Sequence, residues 1–160
     1  MHTARRTAAI LAGAFIITVA QAAPPSAAQL ARGKYLVDAG GCHDCHTPKK
    51  MTPTGPAPDL SLALSGQRSG APVAPVPAGF LGPAPNQWIA MTNADLTAWA
   101  GPWGISFSAN ITPDKVTGLG NWTQAQFIQT ARTGKHLGVG RPLLPPMPVT
   151  SLAALTDADL

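Results

Sequence analysis

The chain of 160 residues contains no glutamate, one tyrosine and two cysteines, and charged side chains make up 11% of it. Each scarcity narrows what the protein can be. Cys42 and Cys45 use up the thiols, so none is left for a disulfide elsewhere and no second cysteine pair can complete a structural zinc site. Basic side chains are scattered rather than clustered, which argues against a nucleic-acid surface. No apolar run reaches the ~20 residues that a membrane-spanning helix requires. No internal repeat is present. What abounds instead is backbone punctuation, with 17 prolines and 16 glycines. Such a composition predicts a loop-rich chain that struggles to build a core from its own side chains.

The first 22 residues read as a secretory leader. Arg5 and Arg6 supply the positive start, and Ala8 to Ala20 is apolar apart from Gly13 and Thr18. Ala20-Gln21-Ala22 then places small residues at a cleavage site, so the mature chain is expected to begin at Ala23. Membrane association is expected only if this leader is retained. Its removal takes away two arginines and leaves nine basic against seven acidic side chains, a net charge of +2. The remaining residues, 23–160, are long enough for one domain.

Cys42-His43-Asp44-Cys45-His46 carries the most specific chemistry. Two cysteines separated by two residues and followed directly by histidine form the attachment signature of a covalent haem c. The spacing lets each thiol add to one vinyl group along a porphyrin edge, and the histidine is then carried under the ring to ligate iron. A thioredoxin-like redox pair would need a strand–turn–helix setting, and none surrounds the motif. Zinc held by Cys42, His43, Cys45 and His46 would crowd four ligands into five residues, and a lone disulfide leaves His46 without a role. One motif implies one haem. A buried porphyrin would also supply a large apolar surface around which so loop-rich a chain could build its core. Haem attachment to reduced thiols takes place outside the cytoplasm, so it agrees with the leader, and the expected location is the periplasm.

Helix signals frame this motif. Ser26 and Gln29 form a capping box that starts a helix through Leu30, Tyr35 and Leu36 to Gly40. Thr123 and Gln126 repeat the pattern, with Trp122 and Phe127 spaced as a hydrophobic staple, and that helix is expected to stop at Gly134. Asn93 to Ala100 reads as a shorter helix capped by Asn93, with Leu96 and Trp99 inward. Leu155 to Leu160 has the staple, cap and acids of a helix start. Residues 51–85 are proline-rich and read as a surface loop or insertion, with a wrap over one face of the haem as the functional alternative.

The second axial ligand is less constrained by the residues themselves. Thioether sulfur suits haem iron, and Met147 lies among Pro145, Pro146 and Pro148, which restrict its backbone. Met91, Met51 and His136 remain alternatives. For His136, placement beside a helix C-terminus offers a role for the imidazole without iron. Trp88, Trp99, Trp103 and Trp122 are candidates to line a haem pocket, with indole N–H groups available to a propionate. Arg141 and Lys135 are candidates for the same contact or for ordinary surface charges, and His43 is expected to face solvent or to cap local backbone.

Taken together, Gly33 to Leu36, Gly41 to Thr47, Asn110 to Asp114, Thr117 to Phe127 and Arg132 to Pro148 resemble the class I monohaem c-type cytochromes. The likeness is strongest to bacterial periplasmic forms related to dehydrogenase cytochrome subunits. The resemblance implies a mainly α, cytochrome c-like helical fold around one covalent haem. It makes His46 the proximal ligand and Met147 the distal one. It also implies a C-terminal helix crossing the N-terminal one, of which this sequence holds the first turn, so that helix is expected to be incomplete. With both iron positions filled, the expected activity is electron transfer rather than catalysis, with redox partners such as a dehydrogenase, a membrane electron-transfer complex or an oxidase. The alternatives are a cytochrome subunit of a dehydrogenase complex, or a haem enzyme or sensor with an open sixth position.

Overall fold

The computed structural model describes residues 24–77, 80–81 and 90–160. The leader and Trp88 therefore lie outside the described residues. Helix α1 spans Ala27–Ala39, α2 Cys42–His46, α3 Gln124–Thr133 and α4 Val149–Ala153. Strands β1, Lys49–Thr52, and β2, Gly55–Pro58, form one antiparallel hairpin. A second antiparallel sheet holds β3, Met91–Thr92, β4, Ala98–Gly101, and β5, Gly104–Phe107, in that order.

Both capping boxes are present. The Gln29 N–H donates to Ser26 Oγ at 3.2 Å, and the Ser26 N–H donates to Gln29 Oε1 at 2.8 Å. Thr123 and Gln126 exchange the same two bonds, and α3 ends at Gly134 with φ of 63°. These ends are set by neighbouring residues alone, so they are legible without tertiary context.

The expectation of a mainly α fold is overturned. Of the described residues 31% are helical and 16% are strand, in four short helices and two sheets. The largest departure is at Asn93 to Ala100, where the expected helix is absent. Asn93 does cap, but it caps a turn: its Oδ1 accepts from the N–H groups of both Thr97 and Ala98 at 3.0 Å, and its own N–H donates to Ala98 O. Leu96 takes a left-handed φ of 58°, which no helix interior tolerates. From Ala98 onward the side chains alternate with period two, and Pro102-Trp103 turns β4 into β5. A cap residue satisfies a turn as readily as a helix, and the local pattern does not choose between them.

The proline-rich stretch, read as a loop, holds some local structure among its described residues. It holds most of the β1–β2 hairpin, a 3-10 turn at Leu60–Leu62, and the segment Val73–Pro77, which lines one cavity with Met91, Ala98 and Ile105 of the second sheet.

The interior is small and partly polar. Ala98, Ala100, Ala131 and Pro48 are buried apolar side chains among the described residues, and Thr47, Thr97 and Thr130 are buried as well. The threonine hydroxyls are all satisfied, as burial demands: Thr97 donates to Gln67 Oε1 and Thr130 to Gln126 O. Leu30, Tyr35, Ile105, Phe107 and Leu144 are exposed, and no residue of α1 is buried. At the C-terminus Thr156 to Leu160 forms a hydrogen-bonded turn. Asp159 meets Arg32 of α1 at 2.7 Å and Asp157 meets Arg132 of α3. Both pairs are exposed surface contacts of little strength.

Candidate functional site

The Cys-x-x-Cys-His stretch is itself helix α2, so Cys42 and Cys45 lie one turn apart and their thiols share a face. Both sulfurs are free and half-buried. Burial, reinforced by the Asp44 carboxylate, pushes each thiol above its ordinary pKa. The neutral thiol is thus the resting form, which disfavours the thiolate that zinc or disulfide exchange would need.

His46 closes the helix. Its Nδ1 lies 2.8 Å from the carbonyl oxygen of Ala109. A carbonyl can only accept, so Nδ1 carries the proton. Burial holds the imidazole below its ordinary pKa, against the opposing pull of that hydrogen bond. The ring is therefore neutral, and its Nε2 keeps a free lone pair. This is the arrangement by which a metal-ligating histidine is oriented from behind.

Several contacts hold α2 in place. The Gly66 N–H donates to His46 O at 2.8 Å, and Gln67 N–H donates to Ser108 O at 2.8 Å. Gly66 has φ of +68°, and a Cβ there would sit 2.3 Å from the Ser108 oxygen and 2.4 Å from the Ala109 carbonyl carbon. Only glycine permits this approach, and the approach sets the Ala109 carbonyl behind His46. Lys49 donates to the carbonyls of His43, Asp44 and Thr47 at 2.7 to 2.9 Å, capping the end of α2 with positive charge. Burial lowers the Lys49 pKa.

His43 neither faces solvent freely nor caps backbone. Its Nδ1 lies 2.7 Å from Thr47 Oγ1 and its Nε2 lies 3.4 Å from Asp38 of α1. Thr47 Oγ1 also accepts the Leu64 N–H at 2.9 Å. With the proton on Nε2, every polar atom of this cluster is satisfied. The cluster ties α1, α2 and the 62–66 segment together.

Met147 is half-buried, with its N–H directed to Leu144 O at 3.3 Å. The segment before it is attached to the second sheet, where Ser106 Oγ donates to Pro145 O at 2.6 Å. His136 is exposed and packs its ring edge-on to Trp122, with centroids 5.1 Å apart. Met51 is 74% exposed, and Met91 lies in β3 against Val73–Pro77. Lys135 and Arg141 are exposed. The indole N–H groups of Trp99 and Trp103 are occupied by Leu96 O and Ser106 Oγ, so they serve the sheet rather than an anionic group.

The residues fit a covalent haem. Two unpaired thiols lie on one helical face, an imidazole presents a fixed lone pair, and few apolar side chains are buried among the described residues. Sequence reasoning missed Gly66 and Ala109, because each acts through backbone groups that become neighbours only in the fold, and Lys49, whose ammonium bonds nearby carbonyls that no residue pattern marks.

No family model matches the chain. The cytochrome c subunit of gluconate 2-dehydrogenase from Pantoea cypripedii is 30% identical over 129 residues, covering 81% of this chain and 20% of its own length. The chain is related to dehydrogenase cytochrome c subunits. The cytochrome subunit of fructose dehydrogenase from Gluconobacter japonicus is 29% identical over 161 residues, 99% of this chain and 25% of its own length. A nicotinate dehydrogenase subunit of Pseudomonas putida is 31% identical over 147 residues, 89% of this chain and 9% of its own length. The chain thus spans a quarter or less of the length of these relatives. Among the described residues no helix is long and apolar enough to cross a membrane.

Proposed function

We propose that this chain carries one covalent haem c and transfers electrons as part of a dehydrogenase system in the bacterial periplasm. The observation that carries the reading is the His46 geometry: an imidazole directly after two free thiols, neutral, with its Nδ1 bonded to the Ala109 carbonyl and its Nε2 free. Bound haem c supplies one-electron ferric–ferrous cycling. Cys42 and Cys45 would hold it through thioether bonds, His46 Nε2 would ligate iron on one side and the Met147 thioether on the other. Met147 is favoured over His136 because His136 is exposed and engaged with Trp122, whereas Met147 lies in a segment fastened to the sheet.

The named relatives support the role of a cytochrome component that works beside a catalytic dehydrogenase, rather than that of a catalyst itself. The donor would be a dehydrogenase, and the acceptor a membrane electron-transfer complex or oxidase. Residues 1–22 would serve export, and 23–160 the haem domain.

The test is maturation in a host able to install haem c, with mass spectrometry of the exported chain. The expected result is the polypeptide plus one haem, lost when Cys42 and Cys45 are both replaced by alanine. An exported chain of unmodified mass would sink the reading. Co-purification of a dehydrogenase with a tagged full-length protein tests the partner.

A further inference from the structure

Strand β5 and the two residues that follow it touch the supports of both candidate axial ligands within four consecutive residues. Ser106 Oγ donates to Pro145 O, two residues before Met147, and Ala109 O accepts from His46 Nδ1. Between them, Ser108 is held on both sides: its N–H donates to Thr97 O at 2.8 Å, and its carbonyl accepts from Gln67 N–H at 2.8 Å. The Ser106 hydroxyl is itself oriented, because the Trp103 indole N–H donates to the same oxygen at 3.2 Å. Trp103 lies in the two-residue turn of the β4–β5 hairpin, so the donor and the serine are locked by one hairpin.

We propose that Ser106, oriented by Trp103, is a positioning residue that holds the Met147 segment at the iron. This rests on the reading of Met147 as the distal ligand. The chemistry is directional. A serine oxygen that accepts the indole proton must turn its own hydrogen away, and Pro145 O is the acceptor it meets. Pro145 and Pro146 carry no N–H, so this part of the segment has few other ways to be tied down. The bond leaves Pro145 anchored and restricts how far the Met147 sulfur can swing. Ile105 and Phe107 point to the opposite face of the sheet and make no such contact, which provides an internal control.

The experiment uses the haem-loaded protein and measures the affinity of its ferric form for added imidazole, a probe that must displace Met147. The long-wavelength absorption band of methionine ligation and the thermal midpoint are recorded alongside. Ser106→Ala is expected to raise imidazole affinity about tenfold, the factor carried by one hydrogen bond of ordinary strength. Ser106→Thr should restore the original affinity. Trp103→Phe should move it in the same direction as Ser106→Ala, and the double variant should show less than the product of the two effects. Ile105→Ala should lower the thermal midpoint without changing the affinity. If Met147→Ala opens the iron while Ser106→Ala and Trp103→Phe leave imidazole binding unchanged, the positioning role is refuted and the ligand assignment stands. If Ile105→Ala raises affinity as much as Ser106→Ala, the effect is general loosening and the role is again refuted. If Met147→Ala leaves imidazole binding unchanged, the ligand assignment itself fails and takes the positioning role with it.

Discussion

His46 and Ala109, separated by 63 residues, are joined by a 2.8 Å hydrogen bond that fixes which imidazole nitrogen carries the proton. The bond depends on the close approach of two backbone segments at Gly66. Gly66→Ala is expected to destabilise the protein by more than ~1 kcal/mol, since the substitution meets both a left-handed φ and the Ser108 and Ala109 backbone. Gly33→Ala is the contrast: it lies inside α1 with nothing within 4 Å, and should stabilise by about 0.5–1 kcal/mol. Urea midpoints of the two variants should move in opposite directions.

Thr47 is fully buried, and its hydroxyl receives the Leu64 N–H while meeting His43. Thr47→Val keeps the shape but leaves both neighbours unpaired. A loss of about 1–3 kcal/mol in chemical denaturation is expected. A neutral result would show that water replaces the hydroxyl there.

Met147→Ala should retain the covalently added mass but lower the reduction potential and admit external ligands to iron. Redox titration beside the unaltered protein checks this. An unchanged potential would assign the distal position elsewhere, with His136 the next residue to replace.

The loop after Ala109 predicts a pH dependence. Asp114 accepts from the Thr117 N–H and hydroxyl and from the Val116 N–H, which hold its carboxyl below the ordinary range. Its folded pKa is thus below its unfolded one, so the unfolded chain binds more protons in the window between them. The stabilisation is present above the ordinary carboxylate pKa and is lost as pH falls through the folded value. Asp38, bonded to Lys34, and Asp159, bonded to Arg32, act in the same sense. Urea midpoints should fall as pH drops below about 5, and Asp114→Asn should make that fall shallower.

The capping boxes of α1 and α3 and the haem-attachment signature were all readable from consecutive residues, because their chemistry is completed within one or two helical turns. The second sheet was not. Asn93 offers its side chain equally to a helix start and to a turn, and the outcome follows from pairing with β5 and from the Val73–Pro77 segment lying against it. The mainly α expectation came from the family resemblance, and the two sheets among the described residues are what it did not foresee.

What the linear order of residues settles is therefore the inventory: two thiols and an imidazole at the spacing of haem attachment, in a small chain rich in proline and glycine. What folding alone supplies is orientation. The tautomer of His46, the grip of Lys49 on α2 and the anchoring of the Met147 segment by Ser106 all run through backbone carbonyls, which every residue possesses and which no sequence pattern marks.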